Sequence, residues 1–347
     1  MADLFKPEPE QYKSDASGER VDFGERGHGK VYVWDKKTVF AVQVAQTTGR
    51  PLLLRGPAGS GKSSLAPFVA NTLGHAFYPF TVNARTQARD MMWEFDALGR
   101  LNDANVSHSD EAAKKRVVER HNYLNPGMLW WAFDPDSACK RGLHSAKQLA
   151  VGKAIDPSGG DETAGAVVLI DEIDKADPDV PNNLLEALGS RQFSVQETGT
   201  IVHDKRSPLV IITTNEEREL PRAFLRRCVV LTLKDKTAAQ LASIAQQHFD
   251  QDRGELYRWV ADSMEQLRKE AKDLGQRPPS TAEYLDAIDA CIKLDIQVPA
   301  TEQELQAAVE QQQTHFDNWK YLIEMALVKR PTAVTEPGVA VADQAEA

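Results

Sequence analysis

The chain has 347 residues, 41% of them hydrophobic and 27% charged, a balance that fits about two globular domains and excludes a disordered or collagen-like chain. It carries 51 acidic against 41 basic side chains, and the resulting formal charge of −10 argues against a general nucleic-acid binder. No stretch approaches the ~20 consecutive apolar residues that a membrane helix requires. The opening residues Met1-Ala2-Asp3-Leu4-Phe5-Lys6-Pro7 lack the basic-then-apolar order of a secretory signal, so the expectation is a cytoplasmic protein without membrane association. Cys139, Cys228 and Cys291 are odd in number and far apart, which excludes a disulfide framework or a metal spacing and reads as reduced thiols.

Residues 1–30 are polar and rich in Gly, Glu and Lys, and read as an arm that is mobile or laid on a neighbour. Residues 38–48 follow with Val39, Ala41, Val42, Val44 and Ala45 at helical spacing. The apolar run Leu52-Leu53-Leu54 then leads into Gly56-Pro57-Ala58-Gly59-Ser60-Gly61-Lys62-Ser63-Ser64, the G-x-x-x-x-G-K-[ST] phosphate-binding loop. Gly56, Gly59 and Gly61 permit backbone angles closed to other residues, which turns N–H groups toward an anion. A helix starting near Lys62 adds its positive end, with Leu65, Phe68, Val69 and Leu73 at helical spacing. In this motif Lys62 reaches the outer phosphates and the Ser63 hydroxyl holds Mg²⁺.

Residues 77–82 predict a second strand. Residues 84–101 have helical character, 107–118 are charged and exposed, and 123–133 read as a turn leading into an aromatic helix. This span is too long for a simple connection and reads as an insertion. Trp130 and Trp131 there suit either a partner-contact loop or an inward-packed helix. Lys114, Lys115, Arg116 and Arg120 form its basic cluster, read as a solvated helical face.

Beyond the Ser158-Gly159-Gly160-Asp161 loop, Ala166-Val167-Val168-Leu169-Ile170 is a continuous apolar run, as in a strand buried on both faces, and it ends in Asp171-Glu172. In open parallel sheets ligands bind at the carboxyl ends of strands. Asp171 is therefore placed to meet Mg²⁺ through its water shell, and Glu172 to orient and activate an attacking water. Residues 178–188 predict a helix, and 191–195 with 200–202 a hairpin about Glu197-Thr198-Gly199. The strand at 208–215 ends in Asn215, placed to hold the water or the γ-phosphate. A short helix ends in Arg226-Arg227, and a last strand covers 229–233. From residue 235 the pattern is helical, at 237–249, 254–274 and 281–294, the third opened by the capping box Ser280-Thr281-Ala282-Glu283. One or two more helices are expected at 301–327.

The strand–loop–helix at Gly56–Ser64, then Asp171-Glu172, Asn215 and Arg226-Arg227 in that order, resemble an AAA+ ATPase. Asp171-Glu172-Ile173-Asp174-Lys175-Ala176, Asn183-Leu184-Leu185-Glu186-Ala187-Leu188, and Thr214-Asn215-Glu216-Glu217-Arg218-Glu219-Leu220-Pro221 resemble its MoxR-like, AAA_5-type branch. CbbQ-like, GvpN-like and McrB-like relatives share many of these features. The resemblance implies an α/β P-loop core with a five-stranded parallel sheet, followed by an α-helical lid domain. Its parts would be a polar arm at 1–30, a nucleotide-binding domain at 31–234 with the insertion at about 84–149, a helical lid at 235–329, and a disordered tail at 330–347.

The same resemblance implies ATP and Mg²⁺ as cofactors and a homo-oligomeric ring, commonly a hexamer, with ATP between neighbours. It makes Asn215 the sensor 1 residue. Arg227 becomes the arginine finger acting on the neighbour's γ-phosphate, with Arg226 the competing candidate. The insertion would face the ring's surface or pore. The client would be a protein, with a partner bearing a von Willebrand A domain supplied as a separate chain. The alternative is a motor or switch subunit of a nucleic-acid-directed restriction or defence complex. One departure stands out: Gln276-Arg277-Pro278-Pro279 places no arginine where the usual sensor 2 lies, and Arg277 precedes the helix.

Overall fold

The computed structural model describes residues 4–7, 32–107, 111–159, 165–249, 253–296, 317–322 and 327. The rest of the expected arm, the 330–347 tail and most of the expected 301–327 helices lie outside the described residues. The chain divides into two units, Met1–Lys236 and Thr237–Ala347.

The first unit runs α1 (Lys36–Thr48), β1 (Leu52–Arg55), α2 (Lys62–Leu73), β2 (Ala76–Thr81), β3 (Trp93–Phe95), α3 (Ala97–Val106), α4 (Glu111–Val118), β4 (Leu124–Pro126), α5 (Met128–Phe133) and α6 (Pro135–Cys139). It continues with β5 (Ala166–Asp171), α7 (Asp179–Ser190), β6 (Gln192–Val195), β7 (Thr200–His203), β8 (Leu209–Thr214), α8 (Arg222–Leu225) and β9 (Val229–Thr232). Five strands form one parallel sheet in the order β2-β5-β8-β1-β9. Its central strands β1, β5 and β8 are apolar up to their carboxyl ends because both faces are covered.

The alternation of side chains divides the core into two halves. Leu52, Leu54, Val167 and Ile211 pack with Val42, Leu65, Phe68 and Val69 of α1 and α2. Leu53, Val168, Ile170 and Ile212 pack with Trp130, Phe133 and Leu184 of α5 and α7. The register aligns Leu54 with Thr213 and Ile170 with Ile212, so the carboxyl ends of β1, β5 and β8 stand side by side.

The expected arm differs from its reading at residues 4–7. Phe5 is buried, meets Phe68 edge-on with ring centroids 6.1 Å apart, and exchanges backbone hydrogen bonds of 2.9 Å with the Gln46 and Gln43 side chains.

The insertion also differs from the helix expected at 84–101. A short 3₁₀ turn, Ala88–Met91, is followed by β3, which pairs antiparallel with β4 (Trp93 opposite Pro126, Phe95 opposite Leu124). In the chain the two short strands bracket α3 and α4. Trp93 and Phe95 suit a strand, and their partner lies about 30 residues downstream, beyond the reach of local periodicity. Trp130 and Trp131 are both buried, which excludes the partner-contact loop. Trp130 meets Phe193 edge-on at 6.1 Å and donates from Nε1 to Ser137 Oγ at 3.2 Å.

The second unit contains α9 (Ala238–His248), α10 (Gly254–Asp273) and α11 (Thr281–Lys293). Leu241, Val260, Met264, Tyr284 and Ile288 are buried, and the Tyr284 hydroxyl donates to Tyr257 O at 2.8 Å. Ser280 and Glu283 form the expected capping box, with hydrogen bonds of 2.6 and 3.3 Å. Among the described residues no helix is long and apolar enough to cross a membrane, and all three cysteines are free thiols.

Candidate functional site

The loop between β1 and α2 takes a shape that its glycines alone permit. Gly56 has φ 140°, and a Cβ there would lie 2.3 Å from Leu233 O, because Leu233 N bonds Arg55 O at 2.8 Å and brings that backbone close. Gly61, at φ 91°, forms the left-handed N-cap of α2. Ser60 is buried, and its Oγ has no hydrogen-bond partner among the described residues.

Lys62 is only 6% exposed. Its Nζ donates to Gly56 O (2.9 Å) and Pro57 O (2.8 Å). Burial pushes the ammonium's pKa down, while Asp171, Asp174, Glu172 and Glu216 pull it back up. A buried ammonium beside an orphaned hydroxyl and the open N-terminus of α2 makes a cradle suited to a polyphosphate. Pro57, Ala58 and Gly59 form the loop's outer turn, and Ser64 lies in the first turn of α2.

Opposite the loop, Ser63 Oγ donates to Asp171 Oδ1 at 2.7 Å. Thr213 Oγ1 donates to the same Asp171 oxygen at 2.5 Å and accepts from Glu172 N at 2.9 Å. Glu172 sits at φ 60°, an uncommon angle for a side-chain-bearing residue, and turns its carboxylate out of the strand line. Its Oε2 pairs with Lys175 Nζ at 2.6 Å, which raises the Lys175 pKa, and its Oε1 accepts from Asn215 Nδ2 at 3.3 Å. The buried Asp174 carboxylate accepts from Asn215 N (3.2 Å) and Glu217 N (3.0 Å), holding the turn after β8. The Arg55–Glu216 ion pair closes the edge of the cluster.

Ser63 and Asp171 offer a small set of hard oxygen donors. That suits Mg²⁺, which keeps several waters and takes its other ligands from phosphates. Among the described residues no group of three or more His, Cys, Asp or Glu side chains forms a metal cage.

Lys62, Ser63, Asp171, Glu172 and Asn215 thus come together at the carboxyl ends of β1, β5 and β8. Arg226 and Arg227 do not join them. Both are exposed and precede β9, whose first residue Val229 lies opposite Leu52, so they stand at the amino end of the sheet. Arg277 lies 3.8 Å from Glu283 within the helical unit.

Sequence reasoning missed Thr213, Asp174 and Lys175 as members of the cluster. A signal existed for Thr213: it and Thr214 close a strand whose other residues are apolar, and buried hydroxyls require partners.

The family model described as AAA domain (dynein-related subfamily) matches residues 51–228, just over half of the chain. The chain belongs to the dynein-related AAA family. The matched span of this AAA chain runs from the residue before β1 to the residue before β9, and so includes every residue of the cluster. Membership makes it an ATP-hydrolysing domain. It is also 28% identical over 268 residues to a mitochondrial Lon protease homolog of Phaeodactylum tricornutum, covering 73% of this chain and 24% of that protein. The AAA chain therefore spans about a quarter of the length of that curated relative. Among solved structures, a protein of Cytophaga hutchinsonii described as a candidate ATPase covers 75% of this chain and 59% of its own, with 15% identity and a TM-score of 0.37. At that score the likeness adds nothing to the assignment.

Proposed function

We propose that the chain is a MoxR-like ATPase that assembles into a homo-oligomeric ring, commonly of six, and uses ATP hydrolysis to remodel or mature a protein client. A separate chain with a von Willebrand A domain is the partner that fits this branch. The observation that carries the reading is the separation of the site's parts. Lys62, Ser63, Asp171, Glu172 and Asn215 gather at one end of the sheet, while the exposed Arg226-Arg227 pair stands at the other. An arginine so placed is suited to a second subunit's nucleotide.

In this reading the main-chain N–H groups of residues 58–61 and the N-terminus of α2 hold the β- and γ-phosphates of ATP. Lys62 leaves its carbonyl partners to neutralise them. Mg²⁺ bound at Ser63 and Asp171 would spread the charge that develops on the transferring phosphoryl group. Glu172 orients the attacking water and accepts its proton. Asn215 holds that water or the γ-phosphate, and so links the Glu172 carboxylate to nucleotide state. Arg227, or Arg226 beside it, stabilises the transition state of the neighbouring subunit.

The second reading, a motor subunit of a nucleic-acid-directed restriction or defence complex, finds less support in the insertion's basic cluster. Lys114 pairs with Glu111 at 2.6 Å, Arg116 pairs with Asp103 at 2.9 Å, and Arg120 donates to Glu197 O at 3.1 Å. Three of the four cations are thus engaged within the chain.

The test uses Glu172→Gln as a hydrolysis trap, purified with ATP from its own cells. The expected result is a stoichiometric protein partner free of nucleic acid. DNA or RNA that stays bound through a salt wash would replace the first reading with the second.

A further inference from the structure

Arg50 lies outside the nucleotide cluster, in the turn between α1 and β1. Its backbone is held on both sides. Gly49 ends α1 in the left-handed conformation at φ 64°, and Pro51 restricts the residue before it to extended angles. The side chain then reaches across 176 to 178 residues of sequence. Arg50 Nε donates to Arg227 O at 3.1 Å, Nη2 donates to Cys228 O at 3.2 Å, and Nη2 also donates to Arg226 O.

These three carbonyls need such a partner. The helix α8 has four residues, and its last turn closes with Arg227 N on Phe224 O (3.0 Å) and Cys228 N on Leu225 O (3.2 Å). A helix's final carbonyls have no partner within it. A planar guanidinium can serve several of them at once, whereas a lysine presents a single compact charge. One residue further on, Val229 N donates to Pro51 O at 2.8 Å, so the same Arg50-Pro51 pair anchors both the arginine turn and the start of β9.

We infer that Arg50 is a positioning residue for the arginine finger: it fixes the direction in which Arg226 and Arg227 leave the subunit, and so acts on the active site of the next one. The inference rests on the reading that one of those arginines works in trans. Arg50 touches neither nucleotide nor reacting atoms of its own subunit.

The experiment measures ATP turnover and fluorescent-nucleotide affinity in Arg50→Ala and Arg50→Lys, with ring assembly and thermal unfolding followed alongside. Displacing a catalytic group by about 1 Å costs on the order of 100-fold in rate. Arg50→Ala is therefore expected to lose roughly 10- to 100-fold in kcat with KM held within about twofold, and Arg50→Lys to recover part of that loss. The decisive step mixes Arg50→Ala subunits with Lys62→Ala subunits. The first keep a whole nucleotide site, the second keep a well-held finger, and turnover should reappear at their shared interfaces.

A control pairs the Arg226→Ala/Arg227→Ala double variant with Lys62→Ala. Restoration in the control but not with Arg50→Ala would overturn the inference while leaving the trans reading intact. Full turnover by either Arg50 variant, or loss of fold or ring in both, would overturn it as well. If the double variant alone keeps full turnover, or the control mixture stays inactive, the trans reading falls and the inference with it.

Discussion

Asn215 Nδ2 donates to Glu172 Oε1 at 3.3 Å, joining the ends of two strands 43 residues apart in sequence. The contact exists because Ile170 and Ile212 are in register, which ends β5 beside Thr213 and leaves Glu172 within one residue of Asn215 across the sheet. The other Glu172 oxygen is held by Lys175 at 2.6 Å, so the carboxylate has donors on both sides.

Asn215→Ala removes the donor that the proposed function shares between Glu172 and the nucleotide. Loss of one preorganised donor costs on the order of 100-fold in kcat, and that loss is expected with nucleotide affinity changed by less than about threefold. Steady-state phosphate release set against a fluorescent-nucleotide titration reads both. Equal losses in binding and turnover would make Asn215 a ground-state binding residue instead.

Thr213→Val keeps shape but removes the hydroxyl shared by Asp171 and Glu172 N. A buried donor left without its acceptor costs about 1–3 kcal/mol, so the thermal midpoint should fall by roughly 2–10 °C. Thr232→Val, at the exposed end of β9, should stay within about 0.5 kcal/mol. Equal midpoints for the two variants would contradict the bridging role.

Trp130→Ala should be far more damaging than truncation of an exposed insertion residue such as Leu101. Trp130 is fully buried among core side chains that include Phe193, and emptying such a site costs about 3–5 kcal/mol. Leu101 is 58% exposed on α3, and its loss should be nearly silent in denaturant unfolding. A silent Trp130→Ala would show that this part of the core can collapse around the gap.

Burial pushes the Cys228 thiol up to about 12, with Arg50 opposing it, and the Cys291 thiol up to about 11. The thiolate is the reactive form, so a thiol reagent at pH 8 should label the half-buried Cys139 and spare the other two until the fold opens. The sign of the stability effect follows from the raised values. The folded chain keeps protons that the unfolded chain releases above about 8.5. This contribution is therefore whole below that pH and is lost as pH rises toward 11 and 12. Peptide mapping after timed labelling checks the first claim, and unfolding from pH 8 to 10 checks the second.

The core of the site was legible because its chemistry is written in contiguous stretches. Gly56–Ser64 and Asp171-Glu172 each follow an apolar run, and backbone geometry then brings strand, turn and helix into one place. The same holds for the capping box at Ser280 and Glu283, where both partners lie in one helical turn. β3 and β4 were not legible: a three-residue strand has no period to detect, and its identity comes from a partner far along the chain.

The amino-acid order alone determined the phosphate loop, the acidic strand end, the polar end of β8 and the paired arginines, because each is a local pattern whose meaning survives without neighbours. Tertiary structure decided the rest. It gave Thr213 to Asp171 and Glu172, buried Trp130 and Trp131, set Phe5 against Phe68, and brought Arg50 to the carbonyls of residues 226–228. These contacts depend on strand register and on the reach of single side chains across more than 40 residues, and both are set only when the sheet has closed.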